Sequence, residues 1–333
     1  MTESDNTPLL KVENLRKYFT VKDGRLFGSG KKLMAVDDVS FEIFAGETVG
    51  FVGESGCGKS TLGKAVLRLI EPTAGCVSFG GRDLLALNRK ELREIRKDIQ
   101  IIFQDPYESL NPRLTIGEIL EEPFVIHKLG NAAERKIKVA ELLKKVGLPE
   151  TAINRFPHEF SGGQRQRIGI ARAIALKPRL IICDEPVSAL DVSVQSQILN
   201  LLLDLQKEMN LALVFIAHDL AVVKHISDRI AVMYLGKIVE FGKAADIYAN
   251  PQHPYTEALI SAIPIPDPFA EKNKKPLAGE IPSPADPPSG CYFHTRCPYV
   301  QEQCKNEMPE LIPNGKNSLV ACHFSLSSLQ ETS

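Results

Sequence analysis

The N-terminal part of the chain contains short runs of β-branched and aromatic residues that glycines interrupt. Residues 12–19, 39–44 and 48–52 are such runs, and each predicts a short strand. A helical pattern then extends from Lys59 to about Leu69 and ends in a turn with proline and glycine. The sequence therefore predicts a strand, a glycine-rich loop and a helix in succession.

The middle of the chain has helical spacing. Residues 116–146 are charged and predict a helical insertion. The apolar runs 180–183 and 213–217 predict buried strands, with a helix between them at 194–207. This alternation indicates an α/β fold with a parallel sheet.

Prolines crowd the chain from Pro264 to Pro288, where neither a helix nor a central strand is expected. We therefore predict a large domain over residues 1–265, with a helical subdomain at about 105–160. Residues 266–333 are predicted to form a proline-rich linker and a small irregular module that contains cysteines.

The composition is that of an ordinary globular protein. Hydrophobic residues make up 44% and charged residues 24% of the 333 residues. The 40 Lys and Arg against 41 Asp and Glu leave a net charge of −1. Such a balance provides no broad positive field, so nucleic acid is not an expected partner.

The longest apolar run, residues 211–217, is far short of the roughly 20 residues that a membrane-spanning helix needs. Residues 1–6 are polar and lack the basic and apolar segments of a signal peptide. We therefore expect a cytoplasmic chain that does not cross a membrane by itself.

A phosphate-binding loop is the strongest motif in the sequence. Residues 53–60 match the pattern G-x-x-x-x-G-K-[ST] between a predicted strand and a predicted helix. Backbone N–H groups and a lysine would face phosphates there, and a serine hydroxyl could hold Mg²⁺. Kinases, GTPases and other ATPases share this motif. The predicted nucleotide-binding residues are Gly53, Glu54, Ser55, Gly56, Cys57, Gly58, Lys59, Ser60 and Thr61.

Two further patterns extend the prediction. Asp184 and Glu185 end an apolar strand, where they could order Mg²⁺ and polarise a water molecule. Loop acids without a metal are the structural alternative. A Ser-Gly-Gly-Gln turn at 161–164 opens a basic helix and predicts either a second anion site or an ordinary helix cap.

In this order the motifs resemble those of the ATP-binding-cassette (ABC) family, over roughly the first 265 residues. The resemblance implies an ABC-type P-loop ATPase core. The signature then starts at Phe160, in place of the more usual leucine, and continues through Ser161, Gly162, Gly163 and Gln164. The other matched positions are the Q-loop residue Gln104, the second Walker motif at Asp184 and Glu185, the D-loop at 188–191, the switch histidine His218, and an adenine-stacking aromatic assigned to Phe19 with Tyr18 as the alternative.

The resemblance also implies a mechanism. ATP and Mg²⁺ are the expected ligands, with Ser60, Gln104 and Asp184 at the metal, Glu185 at the attacking water and His218 near the γ-phosphate. The signature residues would complete the site of a facing subunit, so that two ATPase chains enclose two nucleotides. Residues 105–160 are the expected docking surface for membrane subunits.

Four of the seven cysteines lie in the C-terminal module. Sulfur ligation suits Zn²⁺ or an iron–sulfur cluster, and the spacing does not choose between them. Four free thiols are the third possibility. The four residues are Cys291, Cys297, Cys304 and Cys322.

The C-terminal sequences at 253–256, 279–284 and 290–298 resemble the extension of peptide-importer ATPases. Core segments 109–113 and 185–193 fit the same subgroup. This resemblance implies an ATPase of a dipeptide or oligopeptide importer, with nickel or another solute as the alternative. It also implies a [4Fe–4S] cluster on the four cysteines, with Zn²⁺ as the alternative.

The same resemblance implies the partners. They are a second ATPase subunit, favoured to be a paralogue, two transmembrane permease subunits and an extracytoplasmic peptide-binding protein. The chain would then lie at the cytoplasmic face of the inner membrane as a peripheral subunit.

Overall fold

The structure is a computed structural model that describes residues 7–21, 31–263, 279–314 and 318–331. The elements before the second half of the chain are β1 (Leu10–Val21), β2 (Lys31–Ile43), β3 (Thr48–Val52), α1 (Lys59–Val66), β4 (Ala74–Phe79), β5 (Arg82–Asp83), α2 (Arg89–Ile95), β6 (Ile99–Ile102), α3 (Pro106–Ser109), α4 (Ile116–Ile126), α5 (Ala132–Lys145) and α6 (Gly162–Ile174). Those that follow are β7 (Leu180–Asp184), α7 (Val192–Met209), β8 (Ala212–Ile216), α8 (Leu220–Ile226), β9 (Arg229–Tyr234), β10 (Lys237–Lys243), α9 (Ala244–Ala249), α10 (Pro254–Ser261), α11 (Glu302–Asn306), β11 (Ile312–Pro313), β12 (Leu319–Val320) and α12 (Leu326–Glu331).

The described part of the chain divides into two compact units, and the first contains the described residues within 1–43, 48–85 and 217–333. Its N-terminal strands form an antiparallel sheet in the order β2-β1-β4-β5. Its other strands lie in the order β11-β12-β10-β9-β3, in which β9 is parallel to β3 and antiparallel to β10. The unit therefore includes both the glycine-rich loop and the cysteine-containing module.

Strand β2 is longer than the apolar run from which it was predicted. It begins at Lys31 rather than near Val39, because its polar half pairs with β1 as far as Val21↔Lys31. The pairing contains register shifts, and Asp38 has a positive φ of 63°. Hydrogen bonding to a partner strand therefore sets this boundary, and composition alone does not indicate it.

The second unit contains residues 44–47 and 86–216. Strand β7 is fully buried and lies parallel to β6 on one side and to β8 on the other. The predicted helical insertion is present as α4 and α5, which an ion pair of 2.6 Å between Arg135 and Glu121 connects. The predicted strands at 180–183 and 213–217 and the helix between them are confirmed to within a few residues.

The first compact unit combines parts of both predicted domains. Residues 279–314 and 318–331 of the cysteine module belong to that unit, where the Pro284 carbonyl accepts the N–H of Met34 at 3.1 Å and Tyr292 donates to Asp37. Residues 266–278 of the predicted linker lie outside the described residues. The boundary at residue 265 stays a prediction. Within the described ranges, no helix combines the length and the apolar character required to cross a membrane.

Candidate nucleotide-binding site

The glycine-rich loop connects the buried strand β3 to helix α1. The side chain of Lys59 is buried and its Nζ donates to the carbonyl oxygens of Gly53, at 2.7 Å, and Glu54, at 3.1 Å. The ammonium group therefore lies inside the loop. A lysine in this position can exchange a carbonyl oxygen for a phosphate oxygen with little movement.

Two positions of the loop accept only glycine in the observed backbone conformation. Gly53 has a φ of 152°, and a Cβ there would lie 2.2 Å from the carbonyl oxygen of Met233. Gly58 has a φ of 107°, and a Cβ there would lie 1.9 Å from the carbonyl oxygen of Ala35. The loop backbone therefore lies against neighbouring main chain at two positions before Lys59.

Gln104 and Glu185 lie together in the second unit. Their strands β6 and β7 are parallel neighbours with Ile102 opposite Cys183, so both residues follow the carboxyl ends of adjacent strands. Gln104 Nε2 donates to Glu185 Oε2 at 2.9 Å. The preceding Asp184 is buried at the end of β7. The structure thus brings together three of the side chains that the sequence assigned to metal and water.

The backbone of Glu185 is unusual for a residue with a side chain. Its φ is 48°, and its N–H donates to the carbonyl oxygen of Ile216 at 3.0 Å. The hydroxyl of Ser188 donates to the Glu185 carbonyl at 3.1 Å. These bonds hold the left-handed conformation, which turns the carboxylate out of the strand direction toward Gln104.

The turn at 161–164 caps helix α6. The Ser161 hydroxyl accepts the N–H of Gln164 at 3.4 Å, and the Gln164 side chain accepts the N–H of Ser161 at 3.0 Å. A Cβ on Gly163 would lie 2.4 Å from the side chain of Val194 in α7. The helix cap anticipated from the sequence is therefore present, and the close packing requires glycine at position 163.

The remaining predicted residues lie in the first unit. His218 is exposed and precedes α8, which Asp219 caps by accepting the N–H of Ala221 at 2.7 Å. Phe19 is 39% exposed, and Lys17 Nζ lies 4.8 Å from the centre of its ring. Tyr18 instead donates to Asp37 at 2.5 Å. Of the two aromatic candidates, Phe19 has the more accessible ring.

Comparisons with known proteins agree with this geometry. Residues 36–188 match the family described as ABC transporter, and residues 239–304 match the family described as oligopeptide/dipeptide transporter, C-terminal region. The oligopeptide transport ATP-binding protein OppF of Haemophilus influenzae is 54% identical, over 97% of this chain and 99% of that protein. AppF of Bacillus subtilis is 51% identical, with the same coverage. The chain belongs to the ABC transporter ATP-binding proteins.

Solved structures place this ABC protein among known ATP-binding cassettes. A dimeric cassette, MJ0796, bound to ADP and Pi is 33% identical with a TM-score of 0.63, over 71% of this chain and 98% of that one. CbiO1 from Clostridium perfringens is 27% identical with a TM-score of 0.62, over 73% of this chain and 91% of that one. The predicted ABC ATPase fold and ATPase class are therefore confirmed.

The four cysteines of the ABC protein's C-terminal module lie within electrostatic range of one another. Burial raises the pKa of the Cys297 thiol to about 11, and the nearby Cys291 and Cys304 add to this effect. Burial likewise raises the pKa of Cys322 to about 12, with contributions from the other three. All four thiols are free, and among the residues that the structure describes no group of three His, Cys, Asp or Glu side chains is arranged to hold a metal ion.

The sequence did not predict that this module contacts the phosphate-binding loop of the ABC protein. Arg296 forms two hydrogen bonds with the carboxylate of Glu54, at 2.7 and 3.0 Å. The Tyr255 hydroxyl accepts the N–H of Glu54 at 2.9 Å. Tyr255 and Arg296 lie in the segments 253–256 and 290–298 that the sequence singled out, but no role at the loop was predicted for either residue.

Proposed function

We propose that this ABC ATPase binds and hydrolyses ATP to power the import of oligopeptides or dipeptides. The observation that carries the proposal is the nearly full-length similarity to oligopeptide transport ATP-binding proteins of Haemophilus influenzae and Bacillus subtilis. The match to the oligopeptide/dipeptide transporter C-terminal region supports peptides over other solutes.

The loop 53–61 is proposed to hold the phosphates of ATP. The Lys59 ammonium would bind β- and γ-phosphate oxygens in place of loop carbonyls, and the N–H groups at the start of α1 would bind the same oxygens. The exposed ring of Phe19 is proposed to stack on adenine. In this arrangement binding comes from the backbone and one lysine, and no covalent step involves the loop.

Bound Mg²⁺ would neutralise charge on the phosphate oxygens. The proposed ligand residues Ser60, Gln104 and Asp184 carry hydroxyl, amide and carboxylate oxygens, which are the donors that this ion prefers. Glu185 is proposed to orient and deprotonate the attacking water, with one carboxylate oxygen fixed by Gln104 at 2.9 Å. His218 is proposed to contact the γ-phosphate.

The signature residues are proposed to act on a nucleotide held by a second ATPase subunit. The cap at Ser161 and the close packing at Gly163 present the N-terminus of α6, where N–H groups and the helix dipole attract an anion. Gly162 and Gln164 belong to the same turn. The dimeric arrangement of the cassette MJ0796 supports this proposal.

The proposed partners are two permease subunits, a paralogous ATPase and an extracytoplasmic peptide-binding protein. The proposed location is peripheral, at the cytoplasmic face of the inner membrane. Helices α4 and α5 carry exposed apolar side chains at Val125, Ile126 and Ile137, which supports the region 105–160 as the surface that meets the permeases.

The four cysteines are proposed to ligate a [4Fe–4S] cluster. Four thiols, one buried and three half-buried, in a module with little regular structure suit such a group, which would connect distant segments when bound. Iron and sulfide analysis of the chain purified without oxygen tests this: about four irons per chain are expected, and zinc alone would contradict the cluster. Cys304→Ser should lower the bound iron.

The transport proposal is tested on the complex isolated from membranes with a tagged chain. Two polytopic proteins and a second ATPase should co-purify, and Glu185→Gln should lower hydrolysis at least about 100-fold while ATP still binds. Glu208→Gln, at an exposed ion pair with Lys145, is the matched control and should leave hydrolysis unchanged. Peptide uptake into vesicles that does not depend on this chain would refute the proposal.

A further inference from the structure

The cysteine module forms a bidentate ion pair with the phosphate-binding loop. Arg296 directly precedes Cys297, and its two guanidinium nitrogens bind both carboxylate oxygens of Glu54, at 2.7 and 3.0 Å. The arginine side chain is 5% exposed and the glutamate 23%. Shielded pairs with this forked geometry are strong and directional. The module therefore fixes the orientation of one loop side chain.

An aromatic cluster supports the arginine and binds the loop backbone. The rings of Tyr234, Tyr255 and Phe293 lie with centroids 4.8 to 5.4 Å apart. Tyr255 accepts the Glu54 N–H at 2.9 Å, and the backbone N–H of Arg296 donates to the Phe293 carbonyl at 2.9 Å. The main chain of Glu54 is thus held by Tyr255, near the end of the predicted large domain, and its side chain by Arg296 of the cysteine module.

A second contact reaches the proposed adenine side. Tyr292, which directly follows Cys291, donates from its hydroxyl to Asp37 at 3.4 Å. The same carboxylate accepts from Tyr18 at 2.5 Å and pairs with Lys237 at 2.9 Å. Tyr18 is adjacent in sequence to Phe19. Arg296 therefore contacts the phosphate-binding loop directly, and Tyr292 shares the Asp37 carboxylate with Tyr18, the neighbour of Phe19.

We propose that Arg296 is a positioning residue for ATP, through which the cysteine module holds the phosphate-binding loop in its nucleotide-binding form. The inference rests on the proposed function, because it takes residues 53–61 as the phosphate site. The guanidinium neutralises the Glu54 carboxylate and fixes the loop that receives Lys59. Without it, a half-buried negative charge in the loop repels the phosphates. Tyr292 contacts Asp37, which lies outside residues 53–61.

The test is isothermal titration of the full-length chain with the non-hydrolysed analogue AMP-PNP and Mg²⁺. Arg296→Met should weaken binding at least about fivefold, the lower range of typical coupling between sites. The affinity of Arg296→Lys should lie between those of the wild type and Arg296→Met, because lysine keeps the positive charge and loses the bidentate geometry. Adding Glu54→Gln to Arg296→Met should restore part of the affinity, since the unpaired carboxylate is then removed.

The matched control is Arg135→Met, which breaks the 2.6 Å pair with Glu121 on α4, where the side chains are 21% and 28% exposed. It should lower the melting temperature and change the affinity less than about twofold. In steady-state hydrolysis Arg296→Met should raise KM while kcat changes little. A change in stability alone cannot produce this split.

The outcomes are distinct. A wild-type chain that does not bind AMP-PNP refutes the proposed nucleotide site itself. Wild-type binding with equal affinities for Arg296→Met and Arg135→Met overturns only the role of Arg296. If Arg296→Met does not fold, Arg296→Lys decides the question, and wild-type affinity in that variant overturns the inference.

Discussion

Histidine 253 is expected to make the stability of the chain depend on acidic pH. The residue is 1% exposed, and its Nδ1 accepts the N–H of Tyr255 at 3.1 Å, where it caps helix α10. A protonated ring could not accept this bond. Burial alone lowers the pKa of His253 to about 3, from an ordinary value of 6.5.

The sign and size of the effect follow from these two pKa values. Below pH 6.5 the unfolded chain binds a proton on this histidine that the folded chain does not, so stability falls as the pH falls toward 3. Each pH unit in that window removes about 1.4 kcal/mol. Between pH 7 and pH 5 the histidine therefore lowers the free energy of unfolding by about 2 kcal/mol.

The assay is urea denaturation at pH 7 and pH 5, followed by far-ultraviolet circular dichroism because the chain has no tryptophan. His253→Asn keeps an oxygen acceptor for the helix cap and cannot titrate in this range. Between pH 7 and pH 5, the free energy of unfolding of the variant should fall by about 2 kcal/mol less than that of the wild type. The exposed His225→Asn is the control and should behave as the wild type does.

One neighbour titrates in the opposite direction. Glu240 is fully buried and accepts the N–H groups of Gln252 and His253 at 2.9 Å, and burial raises its pKa. A raised pKa of a carboxyl group favours the folded state as the pH falls. Glu240 is present in both chains, so it cancels in the comparison. Equal loss of stability in wild type and His253→Asn would refute the reasoning.

Two further predictions concern the loop. Gly58→Ala places a methyl group 1.9 Å from the Ala35 carbonyl oxygen and should abolish AMP-PNP binding in calorimetry. Gly56→Ala is the control: beyond its chain neighbours no atom lies within 4 Å of the added Cβ, and the loss of affinity should be smaller. Equal losses of AMP-PNP affinity in the two variants would contradict the explanation by a steric clash at Gly58. Lys59→Met removes the charged donor inside the loop and should weaken AMP-PNP binding about thirtyfold, the equivalent of about 2 kcal/mol for a bond to a charged group. Unchanged affinity would contradict its role.

The residues of the candidate site are easier to predict from the sequence than the tertiary contacts of the chain. The loop around Lys59 and the acids at the end of β7 were predicted because their patterns are local and lie next to elements with clear hydrophobic periodicity. The resemblance assigned Gln104 and Glu185 to one site, and the parallel pairing of β6 with β7 brings them together. Local patterns of this kind determine the core of the site.

The contacts of the cysteine module could not be predicted in this way. Arg296 and Glu54 are separated by 242 positions, and an ion pair at that separation leaves no periodic signal. The same applies to Tyr292 and Asp37, which are 255 positions apart. Such contacts depend on the complete tertiary structure. The length of β2 was underestimated for a related reason, since its partner strand sets its end.

The short strand β12 has a consequence for chains that lack the C-terminal module. It pairs with β10 at Glu240↔Val320 and Phe241↔Leu319, and the N–H of Ala321 donates to the Val239 carbonyl at 2.8 Å. Removal of the residues after 278 would leave β10 as an exposed edge with an apolar sequence. Exposed edges of this kind recruit strands from other molecules. A shortened chain would therefore tend to self-associate, even with every ATPase motif intact.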